Sequence, residues 1–302
     1  MTDLIVEIVS GVATGCIYAL LVLGLTLIYQ VSGVVNFAQG ALAAVGAYAL
    51  WSLMNQAHLS FWPAVIVTIV VTFLLGVVFQ VALLRRLQRA PAASLIVTLG
   101  LLIVLEGGIG VIWGYTLPTP PLWLNLPVSP FQTTTLGSVA LSGLDLATIG
   151  VTVVLILAFF GFLRYTRAGA SVRAVAQSTQ GARLVGIRVG RVRLIAWGIG
   201  AGIAAIAGIL IASKPGQQAP TMAEIYVLSA FAGAVIGGLD NLVGAAVGAL
   251  LIGVIQNLVT FYIPKDLSGL GISGSAVVFL LLLVVLLVRP AGLFGIAVQR
   301  RV

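Results

Sequence analysis

Charged residues are scarce in this sequence: only 7% of its 302 residues are Asp, Glu, Lys or Arg. A soluble globular domain carries about 25% charged residues. Hydrophobic residues make up 61% of the chain, and its 36 glycines are spread through apolar stretches. Glycine at that density is typical of membrane helices that pack closely against one another. The composition therefore excludes a water-soluble globular protein and predicts a membrane protein.

Cysteine and histidine are each present once, as Cys16 and His58. A single cysteine forms no internal disulfide, and one cysteine with one histidine is too few for a metal site. The sequence also has no Gly-x-x-x-x-Gly-Lys-Ser/Thr segment, the loop that usually holds the phosphates of ATP. No constellation of catalytic residues is visible either. We therefore expect a protein that is not an enzyme and that binds no metal and no cofactor itself.

The positive charge of the chain is unevenly distributed. A net charge of +8 would favour nucleic-acid binding in a soluble protein. Here the arginines instead border long apolar runs, which is the pattern of cytoplasmic loops in membrane proteins. We therefore expect no nucleic-acid partner and a cytoplasmic location for three clusters: Arg85, Arg86 and Arg89; Arg164, Arg167, Arg173, Arg183, Arg188, Arg191 and Arg193; and Arg289, Arg300 and Arg301.

The apolar runs predict the fold, since a membrane-spanning helix needs about 20 mostly apolar residues. They indicate an all-α, polytopic membrane bundle of about 8–9 transmembrane helices, some of them broken, in a single transmembrane domain over 1–302. If every run crosses the membrane fully, the threading gives about nine spans with the N-terminus outside and the C-terminus inside, whereas a re-entrant weak run would change the N-terminal side or the count. Strong runs cover about 5–29, 62–84, 92–114, 145–163, 194–213, 242–260 and 275–289, and weaker ones about 36–54 and 226–238.

The two weaker runs begin or end in polar residues beside glycines. Val34 to Gly40 includes Asn36 and Gln39, and Gly233 to Asn241 closes the second run. In transporters, interrupted helices of this kind place unwound backbone beside a water-lined path. A short polar turn between two ordinary helices explains the pattern equally well.

Polar side chains within the runs are candidates for a transport pathway: Asn36, Gln39, Glu106, Gln256 and Asn257. Glu106 is the only charged residue well inside a strong run, where insertion costs about 2.5–3.5 kcal/mol. It could serve as a gate or as a proton or cation site. Alternatively it forms an interhelical hydrogen bond, for example to Gln39 or Asn257. We favour the second, structural role.

The segment from about Arg164 to Arg193 is the largest predicted cytoplasmic feature. Small and apolar residues recur there at helical spacing, which predicts one or two short helices with an apolar stripe. Gly181 could bend the segment, and Gly186 could end it. Helices of this size need either the membrane surface or a partner protein to cover their apolar side.

Several motifs in this sequence resemble those of a known transporter family. Arg173 to Ala176, followed by Ala182 to Ile187, resembles the cytoplasmic coupling loop of bacterial ABC importer permeases. Gly24 to Tyr29, Gly33 to Gly40 and Arg289 to Gly295 resemble branched-chain amino acid permeases, specifically the H-type transmembrane subunit. The resemblance covers essentially the whole chain. Many relatives carry histidine where this chain has Gln39, which keeps hydrogen-bonding capacity but not a proton or cation role.

This resemblance implies a permease subunit that moves branched-chain amino acids, or related amino acids or amides, inward across the bacterial plasma (inner) membrane. It implies two ABC ATPase subunits that bind and hydrolyse ATP, a second M-type permease subunit and a periplasmic or lipid-anchored binding protein, beside membrane lipid. The loop at about 164–193 would dock on an ATPase through Arg173, Val175, Ala176, Arg183, Leu184 and Gly186, with Val175 and Leu184 filling a groove.

A transporter of another class is the alternative. Broken helices and Glu106 would also suit a stand-alone channel or secondary transporter driven by an ion gradient. Such a protein would transport alone and independently of ATP.

Overall fold

The structure is a computed structural model that describes residues 2–83, 91–115, 133–136, 139–214, 219–262, 274–289 and 292–294. The first arginine cluster, Arg300 and Arg301, and parts of the C-terminal motif lie outside these residues. Statements about the structure below concern this described part of the chain.

Helices account for nearly all of the regular structure. A short antiparallel hairpin, β1 (Thr133–Leu136) and β2 (Val139–Ser142), precedes α5 and was not predicted from the sequence. The helices in the described part of the chain are α1 (Thr2–Ser32), α2 (Gln39–Asn55), α3 (Phe61–Ala82), α4 (Pro91–Trp113), α5 (Gly143–Tyr165), α6 (Arg167–Gln177), α7 (Thr179–Leu184), α8 (Val189–Ala212), α9 (Glu224–Gly237), α10 (Leu242–Tyr262) and α11 (Gly274–Val288).

Six of these helices are long and apolar enough to cross a membrane: α1, α3, α4, α5, α8 and α10. Apolar helices α9 and α11 are shorter, and α2 has 17 residues. Together these nine helices coincide with the nine apolar runs of the sequence. The prediction of a polytopic helical membrane bundle is confirmed, and the protein is a multi-pass membrane protein.

Helix α3 shows how these helices orient their side chains. Its buried positions include Thr68, Thr72, Gly76 and Gln80, spaced four residues apart on one face. Several of its large apolar side chains are exposed instead, among them Ile66 at 62% and Leu74 at 53%. A soluble helix buries its apolar face, whereas a membrane helix buries small residues against its neighbours and turns its apolar side chains to lipid.

The described chain forms two compact units. One contains α1 up to Thr26, the hairpin, α5 up to Gly150, α9 from Ile225, α10 and α11. The other contains the end of α1, α2 to α4, α5 from Val151, and α6 to α8. The single permease domain over 1–302 stays a prediction, because the two units describe only how the chain packs.

In the second unit α8 is the central helix, with α2 and α3 packed along it. The contact with α2 depends on glycine at two places. A Cβ on Gly208 would overlap the backbone carbonyl of Ala43, and a Cβ on Gly46 would overlap Ala205. The backbones of α2 and α8 therefore approach each other closely.

In the first unit, glycines bring α1 against α10. A Cβ on Gly15 would lie 2.6 Å from the carbonyl oxygen of Leu250, and one on Gly11 would lie 2.9 Å from the Cα of Val254. Helices α9 and α10 meet in the same way, since a Cβ on Gly233 would lie 2.6 Å from the Cα of Ala249. These contacts explain the glycine content of the sequence by helix packing.

Candidate functional site

The link between α1 and α2 is the most distinctive polar feature of the second unit. Helix α1 ends where Gly33 adopts a φ of 71°, the left-handed conformation that favours glycine, and the Gly33 N–H donates to Tyr29 O at 2.7 Å. Residues 34 to 38 are not helical, and α2 begins at Gln39. This non-helical link fits both the interrupted helix and the short polar turn that the sequence left open.

The side chains of Asn36 and Gln39 are both completely buried in this link. The Asn36 amide Nδ2 donates to Gln39 Oε1 at 3.0 Å, and Asn36 Oδ1 accepts from the Ala38 N–H at 3.1 Å. Gln39 Nε2 donates to the backbone oxygen of Gly200 in α8 at 3.2 Å. The two predicted pathway residues are thus brought together, and their bonds hold the start of α2 against α8.

Two further residues hold the backbone of this link. The hydroxyl of Thr98 in α4 lies 3.3 Å from Val35 O and 2.9 Å from Leu95 O in its own helix, and Arg193 Nε in α8 donates to Val31 O at 3.4 Å. Arg193 stood out in the sequence only as one arginine of a cluster, directly before the apolar run at about 194–213.

Gln256 and Asn257 lie on α10 in the first unit and have partners there. The Tyr18 hydroxyl donates to Gln256 Oε1 at 2.8 Å, and the ring of Tyr18 meets that of Tyr226 edge-on, with centroids 5.8 Å apart. Asn257 Nδ2 donates to both the backbone and the side-chain oxygen of Glu7, at 2.8 and 2.9 Å. Tyr18 and Glu7 were not predicted as site residues.

Glu106 has a different partner from those considered in the sequence. Its half-buried side chain on α4 lies close to the carboxyl group of Glu224, at the start of α9. Two ionised carboxylates are both acceptors, so a hydrogen bond between these two groups needs one proton. The interhelical hydrogen bond that we favoured for Glu106 stays a prediction, and the group beside it is neither Gln39 nor Asn257.

The arginine-rich loop folds as two short helices, α6 and α7, each with a side-chain cap. Thr166 Oγ1 accepts from the Gly169 N–H at 2.9 Å, and Ser178 Oγ accepts from the Gly181 N–H at 3.0 Å. The expectation that Gly181 bends the loop is wrong, because the break lies at Ser178 and Gly181 is inside α7. Gly186, with φ of 79°, follows the end of α7 as predicted.

The apolar residues of this loop divide into a buried and an exposed set. Val172 and Val175 on α6 are 2% and 1% exposed, so the expectation that Val175 fills a partner's groove is wrong. Leu184 and Val185, at the end of α7, are 90% and 74% exposed. Arg173, Arg183 and Gly186 are exposed and Ala176 is half-buried. We call the exposed segment from Arg183 to Gly186 the loop tip.

Within the described ranges, no three His, Cys, Asp or Glu side chains group together as metal ligands. The arrangement instead offers buried amides at a helix link and an apolar tip on a basic loop. The first holds the start of α2 against α8, and the second can bind an apolar groove.

Comparison with known proteins decides the family. The family described as branched-chain amino acid transport system / permease component matches residues 7–288. The chain belongs to this family. The H-type permease resemblance seen in the sequence motifs is thereby confirmed.

The LivH relatives are similar to this chain along most of their length, and an autoinducer 2 permease over a smaller part. A probable branched-chain amino acid transport permease, LivH of Methanocaldococcus jannaschii, is 28% identical over 287 residues, covering 92% of this chain and 88% of its own. The high-affinity permease LivH of Escherichia coli is 28% identical over 298 residues, with 96% and 94% covered. The autoinducer 2 import permease LsrC of Shigella flexneri is 30% identical over 242 residues, with 78% and 65% covered. No solved structure gives a significant match.

The carboxyl pair in this permease leads to a prediction for Glu106→Gln. The amide donates a hydrogen bond to Glu224 just as a protonated carboxyl does, so uptake should stay within about twofold of wild type. Glu106→Ala, which has no donor, should destabilise the permease by about 1 kcal/mol. Uptake by whole cells and melting of the purified protein measure the two effects. Loss of uptake in Glu106→Gln at normal expression would show that transport needs the carboxyl group itself.

Proposed function

We propose that this chain is the H-type transmembrane permease subunit of an ABC importer in the bacterial plasma membrane. It moves branched-chain amino acids, or related amino acids or amides, inward, and ATP is hydrolysed on separate subunits. The family and its LivH relatives support the substrate class. The proposed partners are two ABC ATPase subunits, a second M-type permease and a periplasmic or lipid-anchored amino-acid-binding protein.

The main structural observation that supports this proposal is the exposed loop tip. Leu184 is 90% exposed at the end of a short helix and Val185 beside it is 74% exposed, whereas Val172 and Val175 on α6 are buried. An isolated exposed leucine is common on proteins, but here two apolar side chains are exposed together, and Arg183 and Arg188 lie close to them in sequence. An apolar centre with a charged rim is the composition of a protein-binding surface. An ATPase subunit with a matching groove is the occupant that the family supports.

Affinity purification of the chain from its native membrane, followed by mass spectrometry, tests the proposal. We expect ATPases with Walker motifs and a second permease to co-purify in mild detergent. The ion-gradient transporter remains the second candidate because of the Glu106–Glu224 contact. Recovery of the chain alone under several mild detergents, with uptake that depends on a proton or sodium gradient and not on ATP, would favour that candidate instead.

A further inference from the structure

Helix α8 connects two features that the proposed function treats separately, the arginine-rich loop and the α1–α2 link. At its beginning, α8 follows the loop directly, and both α6 and α7 pack against it. Further along, it packs against α2 over most of the length of that helix. A rigid helix that contacts both features is a physical route between them.

The contacts of α8 with the link lie on one face of the helix. Arg193, Trp197 and Gly200 are separated by four and three residues, the spacing of neighbours on a helix face. They contact residues that flank the link, at the end of α1 and at the start of α2. Arg193 Nε donates to Val31 O, Trp197 packs against Ile28, and Gly200 O accepts from Gln39 Nε2.

Arg193 is the charged member of this row. It is half-buried, and its Nε donates to a carbonyl in the last turn of α1, where the helix dipole favours a positive charge. The bond fixes the end of α1 just before the backbone unwinds at Gly33. Arg191, two residues earlier on the same helix, is exposed.

Gln39 fixes the other end of the unwound segment. Its side chain is fully buried and is used twice, as acceptor from Asn36 and as donor to Gly200 O. Residues 33–38 therefore have one attachment to α8 before them and one after them. Any displacement of α8 along its axis would move both ends of the link together.

We propose that Arg193 and Gln39 are positioning residues that transmit movement of the arginine-rich loop, through α8, to the α1–α2 link. This inference rests on the proposed function, because ATPases bound to the loop supply the movement. Neither side chain touches the ATPase in this scheme. Their replacement should therefore separate ATP hydrolysis from transport without releasing the ATPases.

The test uses the complete importer in proteoliposomes, with ATP hydrolysis and leucine uptake measured on the same preparation. In Arg193→Gln the ATPases should stay bound and hydrolysis should remain near wild type. Uptake per ATP hydrolysed should fall about tenfold, a magnitude typical of coupling between distant sites. Arg193→Lys keeps the charge and a donor and should restore part of the loss. Arg191→Gln, which removes the same charge from the exposed position, should behave as wild type.

A second variant separates transmission from general damage. Gln39→Leu keeps the approximate volume but breaks both hydrogen bonds, and it should lower the same ratio. The double variant Arg193→Gln/Gln39→Leu should lose less than the product of the two single losses, since both act on one link. Two unrelated defects would instead give a loss in the double variant equal to that product.

Several outcomes would overturn the inference. An unchanged uptake-to-hydrolysis ratio in Arg193→Gln, or in Gln39→Leu if Arg193→Gln does not fold, would do so. Loss of bound ATPase in Arg193→Gln would place Arg193 in the docking surface instead. If the wild-type chain itself neither binds nor responds to ATPases, the proposed function fails and this inference fails with it.

Discussion

Leu184→Asp should abolish coupled uptake while leaving the permease folded in the membrane. Leu184 makes little contact within its own chain, since 90% of its surface is exposed, so its replacement should cost almost no stability. In the proposed complex the same side chain is buried against an ATPase. Burying a leucine contributes about 1.5–3 kcal/mol, and an aspartate would also have to lose its hydration there. We therefore expect ATPase binding to weaken by about two orders of magnitude.

Two matched variants define this result. Leu184→Met keeps an apolar side chain of similar volume and should retain uptake. Gln177→Asp places the same negative charge at an exposed position at the end of α6, outside the loop tip, and should also retain uptake. Co-purification of ATPase with each variant and uptake in whole cells are the measurements. Normal uptake in Leu184→Asp would show that the loop tip is not the docking surface.

The helices were predictable because they depend on a property that is local in sequence. Each apolar run long enough to span a bilayer became a helix whose ends lie within about five residues of the prediction. Even the short run at 226–238 became α9, Glu224–Gly237. In a membrane the backbone must satisfy its own hydrogen bonds, so an apolar run has no alternative to a helix.

The partners of the candidate residues were not predictable, because they are distant in sequence. Gln39 meets Gly200 across 161 positions, and Asn257 meets Glu7 across 250. A backbone carbonyl such as that of Gly200 carries no sequence signal at all. For Glu106 the sequence indicated only that some partner was needed, and the partner is another carboxyl group.

In the arginine-rich loop, the sequence predicted the helices but not which of their side chains are buried. Its composition predicted short helices with an apolar stripe, and both helices are present. Val175 and Leu184 are equally good candidates for a docking surface by residue type, yet one is 1% exposed and the other 90%. Which side of so short a helix is covered depends on where α8 lies, since α6 and α7 both pack against it.

Gly208→Ala adds only one methyl group, but it should strongly destabilise the packing of α2 against α8 in the second unit. On an exposed helix this change would stabilise by up to about 1 kcal/mol, because alanine favours the helix. At Gly208, however, the new Cβ would overlap the backbone carbonyl of Ala43 and lie 2.9 Å from its Cα. Neither atom belongs to a flexible side chain, so α2 and α8 must separate. Overpacking of this kind costs about 1–3 kcal/mol, and we expect the upper end.

Gly202→Ala is the matched control, because Gly202 is also buried on α8 but its added Cβ would lie 3.6 Å from the nearest atom, Ile69 Cγ2. The helix-propensity gain is the same for both variants, so the difference between them isolates the contact with α2. Size-exclusion profiles of the purified proteins after heating to a series of temperatures would measure it. We expect Gly202→Ala to melt at or above the wild-type temperature and Gly208→Ala well below it. Because α2 begins at Gln39, Gly208→Ala should also lower uptake, whereas equal melting of the two variants would contradict the close approach of α2 and α8.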